Sequence, residues 1–469
     1  MVEQYRIAGT ADHVYVEGAA KQSAKLNADG FFKTLLTLPS HRCLDLLRIA
    51  TGTYVVDRIS KRKKRCDNED GIRKLHLVFE VRDFAFWKQS EINESLIAVL
   101  SFLTGDDWSL DFEQMQPAPG DLGHQDFLDL PRPFQPRHAA FYSGGLDSAA
   151  GLANRLLQGA NDFMLVTIGH QSGLHHRVHE QLYGNKRRKG LSTLVSDSKG
   201  GAIKLMHSTL TTSLEGGKSK RMRQQEKTQR TRAFFFCAAA AIAAKAYGLE
   251  DIEMFENGVG AVNLPLMTGM LGSGLATRGA HPTFLRLMSE LSAQVTETPI
   301  RFKLPFESST KAEMLQRLRT PDLAMWAKES RSCVHASLRQ LGKTHCGRCA
   351  ACIERRQAFA AAGIEEGLDV YQTNAFVEPL KNPDESDYLH LYQLEAAKWV
   401  EGTPSVRRRM INHLRMTGMP PEQDEKVIEL QLRHSHEVLR TFGAPFSNHN
   451  RPMAISTSET AAMGSEVVP

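Results

Sequence analysis

The sequence predicts an α/β protein: a parallel sheet covered by helices, with an α+β unit before it and a helical part after it. Three observations predict this. From residue 138 to about 305, short apolar strands alternate with helical patterns. A glycine turn, Ser143-Gly144-Gly145-Leu146-Asp147-Ser148, joins the first of these strands to a helix. Four cysteines, Cys333, Cys346, Cys349 and Cys352, fall in a later stretch that reads as mostly helical.

The elements follow in order. "HVYVEG" (13–18), "TYVVDRIS" (53–60) and "KLHLVFEVRDFAFW" (74–87) alternate as strands do, and "EINESLIAVLSFLTG" (91–105) has helical spacing. The charged stretch 58–71 reads as a hairpin-like connection, and 117–138, with five prolines and two glycines, as a linker. Strands are then expected at 139–142, 162–169, 202–210 and 251–257, with helices at 146–158, 174–184 and 231–247. This βαβ rhythm requires a parallel sheet. Residues 310–370 and 380–443 read as helical, and 447–469 as a disordered tail. The expected division is an accessory α+β domain over 1–130, a central domain over 131–370, a helical extension over 371–446 and the tail from 447.

Apolar residues make up 41% and charged residues 24% of 469, an ordinary globular composition. A net charge of +5 favours anionic ligands such as nucleotides without establishing nucleic-acid binding. No run reaches the length of a membrane span, and "AFFFCAAAAIAAKAYG" (233–248) reads as a buried helix. The opening residues lack a basic start followed by an apolar stretch, so the expectation is a cytoplasmic protein. Basic runs at 61–65, 186–189 and 407–409 lack interleaved aromatics and read as exposed faces; 216–232 reads as a solvated loop or a phosphate contact.

The glycine turn carries the first chemical signal. A loop between a parallel strand and a helix lies at the carboxyl edge of the sheet, where α/β proteins bind ligands. The helix start offers unpaired N–H groups and partial positive charge. Gly144 and Gly145 let the backbone wrap an anion, and Ser143 and Ser148 add hydroxyls. The Asp147 carboxylate beside a phosphate calls for Mg²⁺ between them. The alternative is an ordinary helix cap by Ser143 or Asp147.

The cysteine spacing, C-x12-C-x2-C-x2-C, suits tetrahedral Zn²⁺ in a closed, structural site, with His335 and His345 as bystanders. An iron–sulfur cluster is the competitor, but the x3-C-P continuation is missing.

The loop S-G-G-L-D-S resembles the PP-loop of the N-type ATP pyrophosphatases, which implies a HUP-like parallel sheet and ATP cleavage between the α- and β-phosphates. "STKAEM" (309–314), "SRSCVH" (330–335) and "CGRCAACIERRQAFAAAG" (346–363) narrow the resemblance to the QueC, or 7-cyano-7-deazaguanine synthase, family. It covers about residues 138–367. It implies ATP, Mg²⁺ and structural Zn²⁺; adenylation of a 7-deazaguanine-type acid; and amide or nitrile formation with ammonia. It further implies Ser143, Asp147, Arg232 and Lys311 as catalytic, and Ser143 to Ser148 with Gly169 and Gln171 as nucleotide-binding. Residues 255–282 depart from the family, and Asn257, Asn263, Arg278 and His281 are the candidates for substrate contact there. The foreign ends resemble the elongated QueC-like proteins of anti-phage systems, the Qat type and type IV CBASS. This implies partners from a defence operon and, as an alternative, transfer of the acyl group to a protein amine or other macromolecular acceptor. A tRNA-modifying ligase or a non-catalytic zinc-containing binding module are the remaining alternatives.

Overall fold

An unbroken apolar stretch such as "FMLVTI" belongs in the middle of a sheet covered on both faces, and the chain places it there. The computed structural model describes residues 2–10, 12–18, 22–37, 39–62, 72–116, 132, 134–169, 173–215, 226, 229–264, 277–334, 344–378 and 387–445. Among them the strands are β1 (Val2–Gly9), β2 (His13–Glu17), β3 (Gln22–Leu26), β4 (Lys74–Val81), β5 (Asp107–Gln114), β6 (His138–Phe141), β7 (Asp162–Gly169), β8 (Gly184–Asn185), β9 (Arg188–Lys189), β10 (Lys204–Glu215), β11 (Asp251–Glu253) and β12 (Arg301–Lys303). The helices of the first half are α1 (Ala28–Leu35), α2 (His41–Ile59), α3 (Phe84–Trp87), α4 (Ser90–Thr104), α5 (Leu146–Leu157), α6 (Leu174–Tyr183), α7 (Leu191–Lys199) and α8 (Arg232–Ala246). Those of the second half are α9 (Gly258–Val262), α10 (Pro282–Thr296), α11 (Lys311–Gln316), α12 (Pro321–Lys328), α13 (Ala350–Ala361), α14 (Tyr388–Glu401), α15 (Pro404–Met416) and α16 (Asp424–Phe442).

One ten-stranded sheet runs in the order β12-β11-β6-β7-β10-β3-β2-β1-β4-β5, and β8 and β9 form a separate hairpin. The stretch β12-β11-β6-β7-β10 is parallel throughout. Chain order steps from β6 to β7 to β10 on one side and then returns to β11 and β12 on the other. The direction of winding therefore reverses between β6 and β11. A crevice at the carboxyl ends of the strands opens at such a switch point.

Strand β10 is long enough to serve two neighbours. Its residues 204–211 pair in parallel with β7, and 212–215 pair antiparallel with β3. Strands β3, β2 and β1 continue antiparallel, and β1, β4 and β5 close the sheet in parallel. The N-terminal residues are thus joined to the centre by backbone hydrogen bonds. They also share one apolar core with it, in which Ile49, Leu77 and Phe79 belong to the same cluster as Met164, Phe234 and Phe284. The linker residues 117–131, most of the basic loop 216–228 and the tail 446–469 lie outside the described residues.

Residues 53–60, expected as a strand, are the second half of helix α2. The helix starts at Ser40, whose hydroxyl accepts from the Cys43 N–H, and it is buried almost all round. It packs on β2 and β3 on one side and on α8 and α10 on the other. A helix covered on every side shows no 3.6-residue stripe, so the β-branched "TYVV" mimics a strand until tertiary packing overrides it. Expected strand 74–87 likewise ends at Val81, because Asp83 caps the short helix α3 by accepting from the Phe86 N–H.

The burial of α2 brings Asp57 against Asp106 and Arg73. Arg73 donates to Asp57 at 2.6 Å and to Asp106 at 2.5 Å, Arg62 donates twice to Asp106 at 2.6 Å, and Asp57 accepts from the Thr231 N–H at 3.0 Å. This network pins the start of α8 to the N-terminal strands. Replacing Asp106 by Ala leaves two guanidinium groups without that carboxylate, and an expected cost of about 3–5 kcal/mol follows from breaking a buried pair. Burial alone would raise the Asp106 carboxyl, but Arg73 and then Arg62 hold it below the ordinary range. Its contribution is therefore present at neutral pH and is lost as the pH falls through that lowered folded value. Urea unfolding of wild type and Asp106→Ala at neutral and acidic pH checks this: the gap between them must shrink in acid.

Candidate active site

The turn after β6 lies at the switch point and is built for close approach. Gly144 has φ +71°, and a Cβ there would come within 3.2 Å of Gln181 Oε1 and Val178. The Ser143 hydroxyl accepts from the Gly145 N–H at 3.2 Å and lies 3.1 Å from the Ser148 hydroxyl, which in turn donates to the Gly145 carbonyl at 3.1 Å. Gly145 is the N-cap of α5, and no side chain caps this helix. The cap reading of the turn therefore does not describe it: Ser143 closes the turn, and Asp147 points elsewhere. The helix start is left with a partial positive end and backbone donors that no cap side chain satisfies, at the carboxyl edge of the sheet.

Asp147 is turned to the neighbouring strand's loop. Its Oδ1 accepts from Asn257 Nδ2 at 3.0 Å, and its Oδ2 lies 3.1 Å from Lys311 Nζ. Asn257 N-caps α9 just after β11 and also donates to Glu256 at 2.8 Å. Lys311 opens α11 and donates to Glu354 on α13 at 3.0 Å. Burial would lower the Lys311 ammonium, but Asp147, Glu354 and Glu256 together hold it well above its ordinary range. Burial first, and then the Asp147 charge, pushes the Glu256 carboxyl up, so it keeps its proton beyond the usual carboxylate range. These groups line a cavity of about 510 Å³, within the usual size range of ligand pockets.

The four cysteines form a second centre beside this cavity. Their sulfurs lie within 4.8 Å of one another and are buried. The Cys346 and Cys352 sulfurs are 3.8 Å apart, and those of Cys349 and Cys352 are 3.4 Å apart. A Zn–S length of about 2.3 Å in a tetrahedron needs sulfur separations of about 3.8 Å, so the donor set fits zinc. The N–H groups of Cys346 and Cys349 donate to Cys333 Sγ and Cys346 Sγ, each at 3.3 Å, as thiolate ligands require. The fully buried Arg355 grips the segment leading into Cys333, donating to the carbonyls of Lys328 at 2.8 Å and Ser330 at 2.9 Å and pairing with Glu366 at 2.7 Å. From that segment the Arg331 N–H donates to the Gly144 carbonyl at 3.1 Å. The cysteine centre thus holds one wall of the glycine turn.

Of the residues expected at the site, Asp147, Asn257, Asn263 and Lys311 line the cavity together. Gly169 ends β7 at the same sheet edge. Arg232 starts α8 with its guanidinium 4.8 Å from the Phe236 ring centre. Arg278 and His281 are placed against the N-terminal half: Arg278 donates to the Phe102 carbonyl at 3.0 Å, and the His281 ring lies 5.3 Å from the Phe102 ring. His281 is almost fully buried as the cap of α10, and burial lowers its imidazole to about 3. These two residues tie α10 to α4 rather than line the cavity. Gln171 and His335 lie outside the described residues, and His345 is buried beside Tyr371.

Sequence reasoning missed Glu256, Glu354, Tyr392, His434 and Glu437. Glu354 lies in the quoted stretch 346–363 and Glu256 in the expected strand 251–257, but nothing in either stretch marks these residues out. The other three belong to α14 and α16, where no motif marks them.

Residues 273–363 match the family model described as queuosine biosynthesis protein QueC. Over 101 residues the chain is 34% identical to the 7-cyano-7-deazaguanine synthase of Chelativorans sp. (strain BNC1), covering 20% of this chain and 39% of the relative. It is 31% identical over 94 residues to that of Rhizobium rhizogenes (19% and 36%), and 37% over 70 residues to that of Brucella ovis (14% and 26%). The chain therefore spans well under half the length of these curated relatives. No solved structure matches. Among the described residues no helix is long and apolar enough to cross a membrane. The segment that supplies Lys311, the four cysteines and Glu354 is QueC-like, and through it the chain is similar to the 7-cyano-7-deazaguanine synthases.

Proposed function

We propose that this protein uses ATP to adenylate a carboxylic acid of the 7-deazaguanine type, releasing pyrophosphate, and that an amine then displaces AMP. The observation that carries the reading is the uncapped glycine turn at the switch point, with its Asp147 bonded to Lys311 inside one cavity. A carboxylate oxygen of the acid attacks the α-phosphorus, and the bond from that phosphorus to the bridging oxygen of the β-phosphate breaks. Pyrophosphate carries the electron pair away into the turn Ser143–Ser148. Ammonia next adds to the acyl carbon, loses a proton and expels AMP, leaving the amide; a second ATP then adenylates the amide oxygen with release of pyrophosphate, and loss of AMP and a proton from that adduct gives the nitrile.

Lys311 keeps its charge throughout and offsets the negative charge that builds on the phosphates. Asp147 is a hard oxygen donor suited to Mg²⁺, which when bound would neutralise phosphate charge. Cys333, Cys346, Cys349 and Cys352 would hold Zn²⁺, which with four protein ligands supplies structure, not chemistry. The chain outside the QueC-like segment, including α14 and α16 against the cavity, supports a second reading: the acyl group goes to a protein amine, as in a defence system.

The test is incubation of the full chain with ATP, Mg²⁺, 7-carboxy-7-deazaguanine and ammonium. AMP and pyrophosphate in equal amounts, with a product of amide or nitrile mass, are the expected result. ADP release sinks the mechanism, and a product that forms only with an added protein partner favours the second reading.

A further inference from the structure

Helices α14 and α16 lie beyond the QueC-like segment, yet they complete the cavity. Tyr388, Tyr392 and Trp399 of α14 and His434 of α16 line it opposite Asp147 and Lys311. His434 is 8% exposed; its Nδ1 makes no hydrogen bond among the described residues and lies 3.8 Å from Glu437 Oε2. Gln357 and Asn263 add amide groups to the same wall. Flat rings interleaved with amide and imidazole groups suit a planar, hydrogen-bonding ring system.

The same two helices also hold Lys311. Tyr392 donates to Glu354 Oε1, whose other oxygen accepts from Lys311. Glu437 of α16 accepts from the Thr310 hydroxyl at 2.8 Å, and Thr310 is the N-cap that starts α11 at Lys311. Arg433 of α16 pairs with Glu313 at 2.9 Å and donates to the Ser308 carbonyl at 2.7 Å, bracketing the same turn. A side chain acting on Lys311 from two sides fixes where its ammonium sits.

We propose that α14 and α16 form the binding site for the non-nucleotide substrate, a planar heteroaromatic acid, and that Tyr392 and Glu437 are positioning residues that set Lys311 against it. This rests on the adenylation reading above. It moves substrate choice from the QueC-like segment to the C-terminal helices. Within 255–282, Asn263 belongs to this wall, whereas Asn257 serves Asp147, and Arg278 and His281 serve the fold.

The test uses the full chain and calorimetric binding of 7-carboxy-7-deazaguanine and, separately, of ATP. Tyr388→Leu keeps an apolar contact but removes the flat face; it is expected to weaken binding of the acid about tenfold or more, the scale of one lost ring-stacking contact, with ATP affinity held. Glu437→Ala and Tyr392→Phe are expected to lower kcat for pyrophosphate release about tenfold with the KM for ATP unchanged, as for groups whose effect is felt in the transition state. Glu437→Gln, which keeps an acceptor for Thr310, should recover most of the loss. Equal affinity for the acid in Tyr388→Leu and wild type overturns the binding site. Equal turnover in Glu437→Ala, or a Glu437→Gln variant as poor as Glu437→Ala, overturns the positioning role. An acid that fails to bind wild type at all overturns the adenylation reading itself, which separates the two failures.

Discussion

Lys311→Met is expected to lower acid-dependent pyrophosphate release by about 10²–10³-fold, the usual loss when one preorganised electrostatic contact to a transition state is removed. The side chain sits between Asp147 at 3.1 Å and Glu354 at 3.0 Å, and both depend on it for compensation. Without the ammonium, Asp147 and Glu354 lose the cation that bridges them among the described residues. Their repulsion then acts on any triphosphate entering the turn. Asp147→Asn should fall by a comparable factor, because the same bridge loses its other end. Lys311→Arg restores charge but not the compact geometry of an ammonium, so a partial recovery is expected. Initial rates of AMP formation measure all three. A Lys311→Met enzyme within about threefold of wild type would place this lysine in a purely structural role.

Cys352→Ser is expected to have the larger effect on stability. It removes one of four buried donors, and structural zinc in small domains is worth about 10–16 kcal/mol of apparent binding free energy. The loss should spread in a defined direction. The cysteine centre and Arg355 together hold the segment 328–333, and its Arg331 N–H supports Gly144. Hydrogen exchange should therefore rise at 328–333, at 346–353 and then at 143–148, while β4 and β5 stay protected. Metal analysis should give one zinc per wild-type chain and less than one in the variant. Two or more irons per chain, or unchanged exchange at 143–148, would contradict this account.

How much of this was legible in the sequence follows from how local each signal is. The glycine turn, the cysteine spacing and the βαβ rhythm are local patterns, and the structure has each of them where the sequence puts it. The helix over 231–247 was legible for the same reason, as an apolar run too long for a strand. Residues 53–60 were not, because a helix covered on all sides carries no stripe. Arg278 and His281 were drawn into the site by proximity to a divergent loop; in the structure they serve the contact of α10 with α4.

The sequence by itself determined the chemistry available: a glycine turn after a strand, four closely spaced thiols, and a lysine in the Thr310–Glu313 capping box. Tertiary structure alone decided who meets whom. Asn257 and Asp147 are 110 residues apart, Lys311 and Glu354 are 43 apart, and Thr310 and Glu437 are 127 apart. No residue type or spacing encodes such pairs. They arise because β6 and β11 lie side by side at the switch point and because α16 packs along α9 and α13. A carboxylate near an ammonium reads as solvated surface charge until burial removes the water between them, and only the fold removes it.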